Sequence, residues 1–251
     1  RQRNEQNHLY PYPGEDVEAE PWLDSGSWRS ALDQAGWDIK GKREGLPVHA
    51  LLGGANRERI YIYANINRRC LDRSLDGFAA NARDAVDAGF SLIKIAPFDG
   101  LAPDMGADGD TLFKAGMERI AVSCQVAGPD VQVLVDCHWR LNEAQAKTLI
   151  REAAALGLYW VECPLPEDPN DCENLIQLRS LKDSLGVRLA GGERGTNFGY
   201  FEKFVAAGVY DVIMPDVKYA GGVSELMRIA EMAADKGVGY SPHNPSGPLC
   251  H

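Results

Sequence analysis

The rhythm of hydrophobic and polar positions changes twice along this chain of 251 residues. Residues 1 to about 27 are polar, rich in proline and charge, and without an apolar period, so they read as loop or irregular structure. From Ser27 onward Trp28, Ala31, Leu32, Ala35 and Ile39 recur at helical spacing and the breakers Gly41, Gly45 and Pro47 follow, which predicts an amphipathic helix ending near Lys42. VHALLGG predicts a short apolar turn closing at Gly53 and Gly54, and IYIYANI then opens an alternating regime.

Short apolar runs predict strands at Ile60–Ile66, Ser91–Pro97, Val131–Cys137, Leu158–Cys163, Val187–Gly191, Tyr210–Met214 and Val238–Ser241. Helical runs such as FAANARDAVDAG, EAQAKTLIREAAALG and SELMRIAEMAADKG lie between them, and most are stopped by glycine. Alternating βα units of this length imply parallel strands, in a closed barrel or a doubly wound sheet. No GxGxxG follows the first strand and charged groups are spread over many strand ends, which favours a TIM-like α/β barrel. Seven strands are visible, and the chain stops at Cys250-His251, just past the seventh. An open barrel would leave unpaired edges, so the chain is expected to be incomplete, unless a partner or unusual packing covers the edge.

Composition narrows the function classes. With 45% hydrophobic content the chain can bury a large core. A formal charge of −10, a pI near 5.0 and the lack of a Lys/Arg cluster argue against a nucleic-acid partner. Six cysteines without CxxC spacing argue against a zinc ribbon and fit free thiols in a reducing cytoplasm. No run of 18 apolar residues could span a bilayer, and the first residues have no apolar signal-peptide core; the chain reads as soluble and unexported.

The candidate chemistry lies at the strand ends. Asp136, Glu162 and Glu193 each close a β-like run, 26 and 31 residues apart, the step of a βα unit. In a barrel such residues gather at one rim, and three carboxylates offer hard oxygen ligands suited to Mg2+, with Mn2+ as an alternative. A lone strand-end carboxylate can equally be solvated or cap the next helix; three in register weaken that reading. Asp216 and His243 continue the series on the next two strands. His243 alone could be a core histidine, but beside Asp216 its tautomer would be held, and a His-Asp pair near a divalent cation fits proton abstraction next to a carboxylate.

These residues carry a resemblance to the enolase superfamily, and within it to the mandelate racemase branch. ALDQAGWDIKGKREGLPVHALLGG looks like the segment joining capping domain to barrel, and VECPLPED, GGER and PDVKYAGG look like the fourth, fifth and sixth strand-end motifs. The resemblance covers about Ser27 to His251. It implies a (β/α)7β barrel over residues 56–251 and, over 1–55, the remnant of an α+β capping domain with its connecting helix, the chain being truncated at both ends. It further implies Mg2+ on Asp136, Glu162 and Glu193, and a His243-Asp216 base dyad. A lysine commonly stands at the position of Asp216 in the muconate-lactonizing branch, so Asp216 points away from it.

Two departures narrow the implied reaction. Many members end the second strand in Lys-x-Lys, whereas Lys94-Ile95-Ala96 stands here and Ala96 cannot transfer a proton. Lys94 remains, for contact with the substrate carboxylate or a metal-bound oxygen, or as a lysine snorkelling at the rim. Asp136-Cys137-His138 replaces the commoner Asp-x-Asn, and strand alternation would turn Asp136 and His138 the same way, into the mouth. Asp-x-His followed by Trp139-Arg140, together with PHNPSGP from Pro242 to Pro248, is similar to the galactonate-dehydratase-like sugar acid dehydratases. The resemblance thus implies a hydro-lyase acting on an aldonate or aldarate: His243 takes the C2 proton, Mg2+ holds the enediolate, His138 protonates the departing C3 hydroxyl, and a 2-keto-3-deoxy acid forms.

Arg140, Asn65 and Asn67 are candidates for substrate hydroxyls, the two asparagines sharing one face of the first strand or capping a turn. Lys218, two residues beyond Asp216, either reaches the mouth or, as the favoured reading, is a solvated surface lysine, and Cys137 and Cys163 read as turned away from the mouth into packing. Two other functions stay open: a racemase or epimerase using His138 or Lys94 as second base, and a non-catalytic metal- and sugar-acid-binding protein. Family habit implies a homo-oligomer with a small-molecule substrate.

Overall fold

The computed structural model describes residues 26–55 and 57–245. The irregular reading of the first residues, and the part of the PHNPSGP motif from Ser246 onward, lie outside the described residues. Helices α1 (Gly26–Glu44) and α2 (Val48–Leu51) precede six βα steps and a seventh strand: β1 (Ala64–Asn65), α3 (Leu75–Asp87), β2 (Leu92–Ile95), α4 (Gly106–Ala127), β3 (Gln132–Asp136), α5 (Glu143–Leu156) and β4 (Trp160–Glu162). Then follow α6 (Glu173–Leu185), β5 (Leu189–Gly191), α7 (Phe198–Ala207), β6 (Val212–Ile213), α8 (Val223–Asp235) and β7 (Gly239–Tyr240). The strands pair in parallel in the order β1 to β7, forming a curled sheet, half of a barrel. No helix among the described residues is long and apolar enough to cross a membrane.

Alternation along the strands sorts the two faces. Ile93, Ile95, Val133, Val135, Val161, Leu189 and Ile213 point outward into the main core, where they meet Phe78, Ile120, Leu149, Leu178, Phe201, Phe204 and Ile229 from the helices. The opposite face carries Leu134, Trp160, Ala190 and Met214, a smaller cluster inside the curl. Lys94, Asp136 and Glu162 share the register of that inner face, so the fold itself turns them inward. Local chemistry agrees with this layout: α5 opens with a capping box between Asn142 and Gln145 and stops at Gly157 in the left-handed region.

Two expectations change. All seven strands form where the apolar runs place them, but the first is only Ala64–Asn65; Ile60, Tyr61 and Ile62 are 76%, 91% and 61% exposed. Their alternating pattern is genuine, yet no described strand lies on the outer side of β1 to complete a ladder. Helix α1 forms, but Trp28, Leu32 and Ile39 are exposed, and a polar face docks instead. Ser30 Oγ accepts from Gly221 N, Trp37 Nε1 donates to Ser224 Oγ, and Asp33 accepts from both Ser224 N and Ser224 Oγ. Helix α8 starts at Gly222 without a side-chain cap of its own, so the Asp33 carboxylate supplies one from another helix, where the positive end of the helix dipole favours it.

Gly116 in α4 shows how tightly the helices meet the sheet: a Cβ there would collide with the ring of Phe98, which is itself stacked on Phe113. Helix propensity alone would make Gly116→Ala stabilising by about 1 kcal/mol. Steric exclusion should win, lowering stability by roughly 1–3 kcal/mol in urea titration, whereas a gain in stability would refute this packing.

Candidate active site

The carboxylates meet because consecutive strands end in register. Asp136 lies opposite Glu162 across β3 and β4, and Glu162 opposite Ala190 across β4 and β5, so Glu193 just past β5 falls at the same rim. One oxygen from each of Asp136, Glu162 and Glu193 lies within 4.8 Å of the other two, and all three residues are buried. Lys94 is 2% exposed, its Nζ 2.6 Å from Glu162 Oε1 and 3.2 Å from Asp136 Oδ2, so it does not snorkel at the rim. Trp160 Nε1 donates to the other Glu162 oxygen at 3.0 Å, and the Lys94 ammonium lies over the Tyr63 ring.

Three largely buried carboxylates against one buried ammonium leave a formal charge of −2 at the rim. At an effective dielectric near 20, two carboxylates about 5 Å apart repel by roughly 3 kcal/mol, a cost incurred for each pair. The titration behaviour follows from this crowding. Burial and then the Asp136 charge push the Glu162 carboxyl well above its usual range, while Asp136, despite burial, is held well below it by His138 and Lys94. Burial opposes the Lys94 charge, yet Glu162 and Asp136 hold its ammonium pKa well above normal. A divalent cation would bring the local charge to zero, and hard carboxylate oxygens suit Mg2+ or Mn2+. The residues present fit such an ion.

The second half of the site is a histidine pair. Asp216 and His243 form an isolated parallel bridge beyond β6 and β7, with His243 Nδ1 2.8 Å from Asp216 Oδ2. Asp216 is fully buried, and its other oxygen accepts from Lys218 N at 2.7 Å. With Nδ1 held there, Nε2 faces the carboxylates, 3.2 Å from Glu193 Oε2. Across the rim, His138 Nε2 lies 3.1 Å from Asp136 Oδ2; burial lowers its pKa, but the Asp136 charge more than reverses this and the net shift is upward.

Pleat alternation is not what brings His138 there. Strand β3 ends at Asp136, and His138 and Trp139 have φ of 47° and 58°, in the left-handed region. Asp136 Oδ1 accepts from His138 N at 3.1 Å, so a side-chain-stabilised turn aims the imidazole back at the carboxylate. Asn65 and Asn67 likewise do not share a strand face: Asn65 Oδ1 accepts from Asn67 N in a turn after β1, and Asn67 Oδ1 accepts from Ala96 N. Asn67, His138 and Arg140 line a cavity of about 260 Å³ that reaches Asp136 beside Ala96, and Asn65 is not among its walls. Arg140 donates to Leu101 O.

Lys218 is not a solvated lysine; its Nζ lies 3.5 Å from Asp216 Oδ2 and above the Tyr219 ring. Cys137 is buried in the outer core, as expected, and Cys163 is buried behind the rim. Trp160 and Tyr63 belong to the site and were not anticipated. For Trp160 the signal was present, two residues before Glu162 and therefore on its face of the strand.

Comparison with known proteins places the chain in a family. The family described as enolase C-terminal domain-like matches residues 77–251, and the mandelate racemase / muconate lactonizing enzyme N-terminal domain matches residues 17–53. A D-galactonate dehydratase of Verminephrobacter eiseniae is 34% identical over 220 residues, 88% of this chain and 54% of the relative. A D-gluconate dehydratase of Thermoproteus tenax is 32% identical over 228 residues, 90% of this chain and 44% of the relative. The crystal structure of the 3,6-anhydro-D-galactonate cycloisomerase from Zobellia galactanivorans superposes with a TM-score of 0.77 at 26% identity, covering 91% of this chain and 61% of that one. The chain spans about half the length of the curated relatives it matches.

If the carboxylate cluster takes a divalent cation, Mg2+ or Mn2+ should raise the thermal unfolding midpoint, by the equivalent of about 2.7 kcal/mol at a hundredfold excess over Kd, and EDTA should reverse it. Glu162→Gln should show little or none of this response. An equal rise in the variant would place the ion elsewhere.

Proposed function

We propose that this chain, which belongs to the enolase superfamily, is a Mg2+-dependent dehydratase that converts a sugar acid, an aldonate or aldarate, into a 2-keto-3-deoxy acid. The observation that carries the reading is the placement of a histidine base against the carboxylate cluster: His243, fixed through Nδ1 by a buried Asp216, presents Nε2 beside Glu193. The names of the two dehydratase relatives support the sugar acid class.

Asp136, Glu162 and Glu193 would hold the cation, which when bound supplies positive charge to the substrate carboxylate as its α-carbon loses a proton. His243 Nε2 takes the C2 proton, and Asp216 stabilises the imidazolium that results. His138, on the opposite side of the mouth with its side chain 17% exposed, gives a proton to the C3 hydroxyl as the C3–O bond breaks, releasing water. The resulting enol becomes the 2-keto-3-deoxy acid by tautomerisation in solvent. Lys94 stays charged between Asp136 and Glu162 and orients the carboxylate end of the substrate rather than moving a proton.

Ala96 has no group to accept or deliver a proton, and this favours elimination over a two-base racemisation. Asn67 and Arg140, in the cavity beside Ala96, are the groups we assign to the substrate's hydroxyl-bearing end. The five described cysteines are all free thiols, which supports a reducing, cytoplasmic setting.

A library of mono- and diacid sugars, assayed with semicarbazide for keto acid, should reveal a substrate in the full-length protein with Mg2+. On that substrate His243→Asn should slow C2 proton exchange in deuterated water by roughly 10²–10⁴-fold. His138→Asn should keep exchange while losing keto acid formation. Full turnover by His243→Asn would remove the base from this account, and a product of unchanged mass would replace dehydration with epimerisation.

A further inference from the structure

Glu167 is a carboxylate for which the proposed reaction has no use, yet it is among the most heavily hydrogen-bonded side chains near the rim. It follows β4 by five residues in VECPLPED, and its Oε1 accepts from Gly192 N at 2.8 Å and from Tyr210 Oη at 2.5 Å. Oε2 accepts from Tyr200 Oη at 3.0 Å, and the Cys163 thiol lies 3.6 Å from Oε1. Gly192 directly precedes Glu193, and Cys163 directly follows Glu162. One carboxylate oxygen therefore touches the neighbours of two carboxylates in the cluster.

The surrounding backbone is shaped to let this happen. Gly192 has φ of 91°, a conformation that L side chains rarely adopt, and it turns its N–H toward Glu167. A Cβ on Gly191 would collide with the Tyr210 ring and sit 2.5 Å from Glu167 Oε1, so only glycine lets the end of β5 approach so closely. Cys163 also has a positive φ, 42°, so both strand ends hold uncommon backbone conformations against the same carboxylate. Four donors, two phenols, one amide and the Cys163 thiol, converge on two oxygens. A carboxylate accepts from all of them, whereas a glutamine would turn an NH2 group against one donor.

We propose that Glu167 is a positioning residue: by bracing the end of β4 against the end of β5, it sets the spacing of Glu162 and Glu193 and thereby the affinity of the cluster for its divalent cation. The inference rests on the metal reading above but not on any particular substrate.

The test is Mn2+ affinity of the full-length protein, measured from the EPR signal of free Mn2+, with thermal stability recorded alongside. Glu167→Gln, and Glu167→Asp as a second variant that keeps the charge but falls one methylene short of Gly192, should each weaken Mn2+ binding roughly tenfold. Tyr200→Phe removes one hydrogen bond to the other oxygen and leaves the Gly192 bond intact, so its Mn2+ affinity should stay within about twofold of wild type even if it melts earlier. Glu167 variants that bind Mn2+ like wild type overturn the proposal, as does equal weakening by Tyr200→Phe, which would mark general loosening. Wild-type protein that takes up no Mn2+ overturns the metal reading, and this inference with it; Mn2+ binding without keto acid formation overturns the dehydratase reading alone.

Discussion

Three carboxylates share a solvent-poor space with one ammonium group, and the arrangement of the rim answers to that charge imbalance. Lys94 is drawn between Asp136 and Glu162, Trp160 donates to the remaining Glu162 oxygen, and both histidines turn a ring nitrogen toward a carboxylate of the cluster. A purely structural cluster of this kind would be expensive, because desolvation of each charge costs more than a single lysine restores. A divalent cation would resolve the imbalance and, in the proposed reaction, would supply the positive charge that carbon-acid chemistry requires. The same charge imbalance that burdens the fold would suit it to hold such an ion.

The fold supports this by simple means. Parallel strands in sequential order deliver one side chain per strand end to a common rim, and the strand pleat separates an outer apolar face from an inner one that carries the polar groups. The outer face holds nearly all of the core, so stability and chemistry draw on different residues. Turns finish the task where strands stop: Asp136 and Asp216 each accept a backbone N–H two residues on, at His138 and at Lys218, which fixes both carboxylates while leaving their second oxygens for the imidazoles.

What could be read from the sequence divides along the same line. Asp136, Glu162, Glu193, Asp216 and His243 were legible because regular βα spacing converts directly into a shared rim. His138 was assigned to the mouth by pleat alternation, but a left-handed turn puts it there, and strand periodicity cannot describe a residue past the strand end. The same limit applies to Asn65 and Asn67, which belong to a turn. Lys218 looked solvated because nothing local shows that Asp216 is buried beside it. Helix α1 was found from its apolar period, yet the face that docks is polar, since the docking is set by the uncapped start of α8 nearly two hundred residues away. Glu167 was invisible for the same reason: its partners lie on three other segments, joined only by the fold.

The cation is the group on which the proposed chemistry depends. Crystals of the full-length protein grown with Mn2+ and measured near the manganese absorption edge would locate it directly by anomalous scattering. One peak enclosed by Asp136, Glu162 and Glu193, with His243 and His138 on opposite sides, is the predicted result. A peak elsewhere, or an empty cluster at Mn2+ concentrations that saturate the protein in solution, would contradict it.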